Sequence, residues 1–288
     1  KIQVGVEQVG YNAISLSELM FMEYDPATDI PTRIEGLFEG PAFTSLRPGV
    51  DQAQIDELRT LLQAQSEYCL YPEAHEDELR LAEELLNNGT SKGVVLEGLH
   101  SLTAPGGSSL QPLGVSANAG QSITVYADIP EGETVTLYAT QVNAEASAWR
   151  SSLGSVANGR TVLTIPQISS KQGEKGGSLY YTYSGSRPED ITLHIRRATD
   201  IPTLDVVGLS EGERQTAIAA YLDEVAEYRS TLSNQSVDHP KNVTEISTPS
   251  VLLSIPLTAV PREADVQLLE NDILAWEQIM DICKTTQG

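Results

Sequence analysis

Basic residues and long apolar runs are scarce in this 288-residue sequence. Eighteen Lys and Arg stand against 40 Asp and Glu, which gives a formal net charge of −22 at pH 7. Such a charge repels phosphate backbones and anionic lipids, so we exclude nucleic acid as a partner. No apolar run approaches the roughly 20 residues that cross a bilayer, and Lys1–Gly5 lack the apolar centre of a signal peptide. We therefore expect a soluble chain or mature fragment that does not insert into a membrane.

Cysteine is also scarce. Cys69 and Cys283 lie far apart in the sequence and form no C-x-x-C pair. This spacing argues against a disulfide framework and against a zinc knuckle. We expect two free thiols that pack as small apolar groups.

A complete zinc-protease signature is missing. His75–Leu79 begins like the HExxH motif, which needs a second histidine four residues later so that both imidazoles share one helix face. Because position 79 is leucine, we interpret His75 as an exposed residue in the first turn of a helix. The other histidines are solitary and are interpreted as surface or satisfied core residues: His100, His194 and His239. We predict no catalytic and no metal-binding residue in this chain, and its ligand-binding residues stay unassigned.

Two further catalytic motifs are absent or incomplete. Gly154–Thr161 has the spacing of a phosphate loop, but Arg160 replaces the lysine and the segment leads into a strand instead of a helix. We therefore interpret it as a hairpin turn. No G-x-S-x-G elbow exists, so a serine hydrolase of that type has no support.

Two weaker binding motifs remain open. Glu23, Asp25 and Asp29 crowd one segment and either bind calcium or form an ordinary acidic turn, since their spacing does not match an EF-hand loop. Trp149 and any exposed tyrosine of the β region either stack on sugar rings or belong to the core.

The first hundred residues change from a strand pattern to a helical one. Alternation over residues 14–24 predicts a strand. Asp51 and Gln54 predict a capping box at the start of one helix, and a second helix is predicted from Glu73 to Asn87. Residues 51–88 contain ten acids and only two arginines, so we expect the outer faces of this helical pair to be well solvated.

Residues 99–207 are typical of a β-sandwich, because short segments rich in Val, Ile, Thr and Tyr alternate with turn residues. The predicted strands are Ser122–Ile129, Glu133–Val142, Arg160–Ile165, Ser178–Ser184 and Asp190–Arg197. Pro130–Gly132 and Asn158-Gly159 predict hairpin turns.

The last part of the chain returns to helices. Ser210 and Glu213 predict a capping box for a helix to about residue 232, and a strand over Ser250–Ile255 precedes a last helix over residues 262–283. The apolar residues of this last helix recur at spacings of three and four: Val266, Leu269, Ile273, Trp276, Met280 and Cys283. We expect this stripe to fold back on helix 210–232.

The fold class that follows is a multi-module α+β chain in which a β-sandwich is flanked by an acidic helical linker pair and C-terminal helices. We predict four regions. They are terminal strands of a β-sandwich module (1–45), the helical linker (46–98), the β-sandwich (99–207) and a helical segment (208–288).

Several segments resemble the enhancin-like, mucin-active zinc metallopeptidases. The resemblance covers about residues 99–283, and its segments are 102–125, Gly176–Tyr181, Asp190–Ile195, Ser250–Pro256 and Ile279–Asp281. Residues 14–25 and the acidic helices resemble the end of a galactose-binding-like module and the linker that often precede this domain. In the family the HExxH helix and its further glutamate ligand lie downstream of these segments. No catalytic residue is therefore carried over to this chain.

The resemblance implies the N-terminal accessory part of a secreted or cell-surface bacterial zinc metallopeptidase. This part would orient a glycoprotein or glycan substrate, bind no cofactor itself and be inert and monomeric, while zinc belongs to a catalytic domain outside this sequence. The alternatives are a stand-alone extracellular module that binds carbohydrate or protein, and a structural spacer.

Overall fold

The computed structural model describes residues 29–67, 69–99, 110–144, 149–170 and 173–287. The strand predicted over residues 14–24 lies outside them. The helices are Ile30–Glu35 (α1), Gln52–Ala64 (α2), Pro72–Asn88 (α3), Glu211–Thr231 (α4) and Val266–Gln287 (α5). The strands of the first half are Val94–Glu97 (β1), Gln111–Ala117 (β2), Ser122–Asp128 (β3), Thr134–Thr140 (β4), Arg150–Val156 (β5), Gly159–Thr164 (β6) and Ile168–Ser170 (β7). Those of the second half are Gly173–Lys175 (β8), Gly177–Ser184 (β9), Thr192–Arg196 (β10), Thr199–Asp200 (β11), Thr203–Asp205 (β12), Thr244–Ser247 (β13) and Leu252–Ile255 (β14). The chain is thus α+β, as predicted, and its two short 3-10 helices are Pro188–Asp190 and Leu257–Ala259.

Two antiparallel sheets form the middle of the molecule. One has the strand order β1-β10-β3-β6 and the other the order β11-β2-β9-β4-β5. Their inward side chains share one hydrophobic core, which includes Val125 and Leu193 from the first sheet and Leu137 and Leu179 from the second. We call these sheets the two-sheet unit. The five strands predicted in this region are confirmed, with ends shifted by one or two residues, whereas β1, β2, β5 and β11 of the two sheets were not predicted.

The helical region, α1 to α3, covers the outer face of the four-stranded sheet. The predicted capping box is present, since Asp51 accepts from the backbone of Gln54 while the Gln54 side chain accepts from the backbone of Asp51. Apolar side chains of all three helices pack together with Tyr126, which points outward from β3. This core therefore depends on the sheet.

The C-terminal region covers part of the outer face of the five-stranded sheet. Strand β12 pairs in parallel with β13, helix α4 connects them, and β14 completes a three-stranded sheet. The loop before β13 lies on the two-sheet unit, because Gln141 donates to the carbonyl of Asp238 at 3.1 Å and Ser170 donates to the Asp238 carboxylate at 2.7 Å. The predicted capping box of α4 is also present. The boundaries of the four regions stay predictions.

The prediction that two turns form hairpins is wrong, because the strands on either side of each turn do not pair with each other. The turn after β3 joins strands of different sheets, and so does the Asn158-Gly159 turn between β5 and β6. Gly159 has the positive φ of 81° that such a turn requires. Asn158 accepts a hydrogen bond at 2.8 Å from the backbone of Ile129, so the two turns hold each other. A turn motif predicts a reversal of the chain but does not decide which strands pair.

The expectation of well-solvated acidic helices needs correction. Arginines from outside residues 51–88 pair with four of their acids: Arg33 with Glu57, Arg160 with Glu78, Arg196 with Glu84 and Arg197 with Asp77. These arginines are distant in sequence, so local charge counting could not find them.

Helix α5 folds back on α4, as predicted, and Val266, Leu269 and Ile273 of the predicted stripe belong to the shared core. Ile273 is buried between them, and the largely buried Glu270 accepts from Arg214 at 2.7 Å and from Gln215 at 2.9 Å. Trp276 and Cys283, which were placed on the buried stripe, are exposed. The packed face also includes Glu270, whose carboxylate pairs with the Arg214 guanidinium. Within the described residues, no helix combines the length and the apolar character of a membrane span.

Candidate functional site

A groove of about 760 Å³ lies between the N-terminal half of α3 and the outer face of the four-stranded sheet. Its lining combines one exposed ring, two guanidinium groups, two carboxylates and several hydroxyls: Tyr71, Pro72, Glu73, Ala74, Asp77, Ser122, Thr124, Tyr126, Arg160, Val162 and Arg197. We call it the α3 groove. Cavities of about 250 and 560 Å³ adjoin it, and both include Asp77 and Arg197 in their lining. The ion pair between these two residues therefore lies where the three cavities meet.

Backbone strain is concentrated on this groove. Only three non-glycine residues of the described chain have positive φ, and two of them, Tyr71 with φ 60° and Arg197 with φ 64°, line the groove from opposite walls. A left-handed conformation costs a non-glycine residue on the order of 1–3 kcal/mol. The Tyr71 side chain is 72% exposed, so burial of its ring does not offset that cost. The two strained residues make the groove the candidate functional site of the described chain.

The base of the groove is polar and buried. His75 is only 4% exposed, and its Nδ1 lies 2.7 Å from Oε2 of Glu78, which is buried too. Arg160 from β6 approaches Glu78 with its Nε at 3.3 Å from Oε1. The interpretation of His75 as an exposed residue is therefore wrong. His75 shares its helix face with Leu79 and Ala82, four and seven residues later, and this face packs on the sheet.

The hydroxyl of Tyr126 stays protonated beneath the groove. Burial raises its pKa well above the usual range, and the nearby Glu78 carboxylate acts in the same direction. A neutral phenol can donate a hydrogen bond at physiological pH.

The adjoining cavity of about 250 Å³ is rich in basic side chains. Arg196 makes two hydrogen bonds to Glu84 of α3, at 3.0 and 3.1 Å. Burial raises the pKa of Glu84, but the hydrogen bonds and charge of Arg196, together with those of Lys92, outweigh it and the net pKa is lowered. Lys92, Arg80 and Arg197 line the same cavity. Four basic side chains thus meet two acids here, against the −22 charge of the whole chain.

The residues present do not fit a zinc site. Among the described residues, no group of three His, Cys, Asp or Glu side chains is arranged to hold a metal ion. The position where HExxH needs its second histidine is Leu79, which is fully buried in the helical core. His75 instead bonds Glu78.

The other histidines that the structure describes are satisfied as predicted. His194 is buried between Ser91 Oγ at 2.6 Å and the carbonyl of Ala42 at 3.1 Å, and its burial lowers its pKa. His239 accepts from the backbone of Lys241 at 3.2 Å. His100 lies outside the described residues.

The calcium alternative stays a prediction, because only one of its three residues, Asp29, belongs to the described part of the chain. Asp29 is the N-cap of α1, where its carboxylate accepts from the backbone and hydroxyl of Thr32 at 3.0 and 2.6 Å. Glu23 and Asp25 lie outside the described residues.

The aromatic residues of the β region fall into two groups. Tyr126, Tyr180 and Tyr181 are buried, whereas Trp149 is exposed.

The sequence contains no local pattern that predicts the α3 groove. Asp77 and Arg197 meet only because α3 crosses the end of β10, and nothing in either local sequence predicts that crossing. Pro72 does predict the start of α3, but a residue before proline is not expected to be left-handed, so the strain at Tyr71 was not predictable.

Comparisons with known proteins reveal the fold but no sequence family. No family model matches this chain, and neither does a curated protein. One similar solved structure contains the CBM32-1, CBM32-2 and M60 catalytic domains of Clostridium perfringens ZmpB. It aligns with a TM-score of 0.53 and 21% identity over 80% of this chain and 24% of its own length. A metallopeptidase from Bacteroides thetaiotaomicron aligns with a TM-score of 0.50 and 15% identity over 91% of this chain and 42% of its own.

These identities are low, so the likeness concerns the fold alone. The chain spans about a quarter of the first structure and less than half of the second. The chain therefore shares its fold with a part of larger bacterial metallopeptidases.

Proposed function

We propose that this chain is a non-catalytic, substrate-orienting part of a secreted zinc metallopeptidase that acts on mucin-type glycoproteins. The observation that supports the proposal most is the fold shared with a structure that contains an M60 catalytic domain, over 80% of the chain. The resemblance of residues 99–283 to the enhancin-like peptidases points in the same direction. In this proposal the two-sheet unit is the predicted β-sandwich.

The α3 groove is the surface that we assign to substrate. A glycosylated peptide is an extended chain with amides, hydroxyls and apolar sugar faces. The groove offers partners for each of them, namely guanidinium donors, carboxylate acceptors and the exposed Tyr71 ring. Its walls are a helix and a sheet, which hold side chains more firmly than loops do.

Hydrolysis is assigned to a catalytic domain outside this sequence. Among the described residues no group of side chains is arranged to hold a metal ion, and the imidazole of His75, which does not line the groove, is buried and bonded to Glu78. The chain would therefore contribute binding and orientation, which raise the effective concentration of substrate near a neighbouring active site.

The first experiment measures metal content and cleavage. We expect the purified chain to retain no stoichiometric zinc after dialysis and to leave a mucin-type glycoprotein intact. Stoichiometric zinc, or cleavage that a chelator abolishes, would refute the non-catalytic role.

The second experiment measures binding of the chain to an immobilised mucin-type glycoprotein. Tyr71→Ala and Arg197→Gln should each weaken binding, while Val237→Ala, an exposed apolar residue of the C-terminal region, serves as the matched control. Equal binding by the parent and its three variants would show that the groove does not bind the glycoprotein.

The stand-alone binding module remains the second candidate, because the same groove would serve it. It predicts the same binding results but no chelator-sensitive cleavage by the native protein isolated from its source.

A further inference from the structure

The outer face of the five-stranded sheet differs in charge from the rest of the molecule. Strands β4, β5 and β9 contain no Asp or Glu, although the chain has 40 such residues, and their one charged side chain is Arg150. The part of this face nearest β5 is not covered by the C-terminal region. The protein as a whole is acidic, but a surface without carboxylates does not repel an acidic ligand locally.

A tryptophan projects beside this face. Trp149 precedes β5 and is 44% exposed. Its backbone is fixed, because its carbonyl accepts from the backbone of Gln141 at 2.8 Å. The buried Gln141 side chain in turn donates to the carbonyl of Gly176, also at 2.8 Å. The exposed ring therefore stands on a rigid base.

Arg150 connects this ring to a second one. Its guanidinium carbon lies 5.3 Å from the centroid of the Trp149 ring and 6.0 Å from that of Tyr138. Tyr138 points outward, since its neighbours Leu137 and Ala139 fill the core. Cation–π contacts of this kind orient the guanidinium but leave its N–H donors free for a ligand.

Hydroxyl groups continue the surface from Tyr138. Ser152 lies opposite Tyr138 on β5, and Thr182 lies opposite Thr136 on β9. The hydroxyls of Thr136 and Ser155 are 3.4 Å apart. Two aromatic rings, one guanidinium and a row of hydroxyls complement a sugar, which has an apolar C–H face and a rim of hydroxyls.

We propose that Trp149, Arg150 and Tyr138 form a carbohydrate-binding surface separate from the α3 groove. A hexose ring stacks on the exposed indole, and Arg150 donates hydrogen bonds to its hydroxyl or carboxylate oxygens. The surface lies on the opposite side of the two-sheet core from the groove, so the two sites can be occupied together.

A peptide added to the edge strand β5 is the competing occupant. The β4–β5 ladder has a register shift between Leu137 and Tyr138, and Gly154 has a φ of 106°. Such irregularities interrupt the row of backbone groups that an added strand needs. They favour the sugar over the peptide.

The test uses the fact that the chain has only two tryptophans. The variant Trp276→Phe leaves Trp149 as the single fluorescent indole. Free galactose, N-acetylgalactosamine and sialic acid are titrated separately, and emission and acrylamide quenching are recorded. We expect a saturable emission change and protection of Trp149 by at least one sugar at millimolar concentrations.

Variants in the same background locate the site. Arg150→Gln should weaken binding about tenfold, the loss expected for a hydrogen bond to a charged donor. Arg262→Gln, an exposed arginine of the C-terminal region, is the matched control and should bind like the parent. Tyr71→Ala should also leave the titration unchanged, so this result is independent of the groove.

Three outcomes would overturn the proposal. They are no saturable response to any of the sugars, an equal response in Arg150→Gln, and equal protection of Trp149 by an unglycosylated peptide of mucin-type sequence. The last outcome would assign the face to strand addition.

Discussion

The two interfaces that flank the two-sheet unit differ in how an acid at each of them is paired. On the helical side, Arg196 and Glu84 form a charged, doubly hydrogen-bonded pair. On the C-terminal side, the fully buried Glu245 of β13 has no hydrogen-bond partner for either carboxyl oxygen among the described residues. Burial raises the pKa of Glu245 to about 7, and the nearby hydroxyls of Tyr180 and Ser178 oppose this only partly.

The difference shows that single acids at the two interfaces can contribute to stability with opposite dependence on pH. The pKa of Glu84 is lowered, so the stability it contributes is present above pH 4.5 and is lost as pH falls. The pKa of Glu245 is raised, so its contribution is complete below pH 4.5 and is lost as pH rises through about 7. Asp238, at the same interface as Glu245, resembles Glu84, because burial raises its pKa but the hydrogen bonds from Ser236 and Ser170 and the charge of Lys175 together lower it more.

The largest effect should come from apolar packing rather than from either acid. Leu62→Ala removes a buried side chain of the helical core and should lower the free energy of unfolding by about 2–5 kcal/mol. Leu70→Ala, which truncates an exposed leucine, should change it by less than about 0.5 kcal/mol. Chemical denaturation measures both. A smaller loss for Leu62→Ala than for the Glu84 substitution below would show that ion pairs dominate the helical side.

The next effect concerns Glu245. The Glu245 carboxyl alone should cost the parent chain up to about 3 kcal/mol of stability as pH rises from 4.5 to above 7, since each pKa unit corresponds to about 1.4 kcal/mol. Glu245→Gln stays neutral and should lack this loss, so it should be the more stable protein at pH 8. Denaturation midpoints across this pH range test it, with the exposed Glu97→Gln as control. Parallel pH profiles for parent and Glu245→Gln would contradict the raised pKa.

Glu84→Gln should have a smaller effect of the opposite sign. It replaces charge-assisted hydrogen bonds to a mostly buried Arg196 and should cost about 1.5 kcal/mol at pH 7. The cost should shrink as pH falls, because Glu84 then becomes protonated in the parent as well. The exposed Glu131→Gln is the control. A cost that does not change between pH 7 and pH 3 would mean that lost packing, not charge, is responsible.

The smallest effect should be that of an exposed ion pair. Arg33 and Glu57 are 2.6 Å apart, but Glu57 is 60% exposed. Arg33→Gln should therefore change stability by about 1 kcal/mol or less. The difference should largely disappear in 1 M salt, where charges are screened within about 3 Å. A stability difference between parent and Arg33→Gln that persists in 1 M salt would show that this pair behaves like the buried contacts of the helical side.

Local sequence signals predicted the elements well. The capping boxes at Asp51 and Ser210 are present, and the predicted strands lie close to their observed bounds. These features depend on neighbours within a few residues, which a sequence displays directly.

Features that depend on distant residues were missed. The burial of His75 requires the sheet beneath α3, and the pairing of the helical acids requires Arg160, Arg196 and Arg197 from later strands. The α3 groove needs all of these at once. For the same reason the buried Glu245 was not recognised, since its strand is covered by β9 only in three dimensions.

The turns that cross between the two sheets also affect how the protein is made. Because the chain often crosses from one sheet to the other between successive strands, most ladders join distant segments, and Val94 of β1 lies opposite Ile195 of β10. The ribosome adds about 5–20 residues per second, so β1 waits roughly 5–20 s for its partner to be synthesised. Long-range pairing of this kind also slows refolding, to milliseconds or seconds. A newly made chain thus presents an unpaired strand to chaperones and proteases throughout the time that its own partner is being translated.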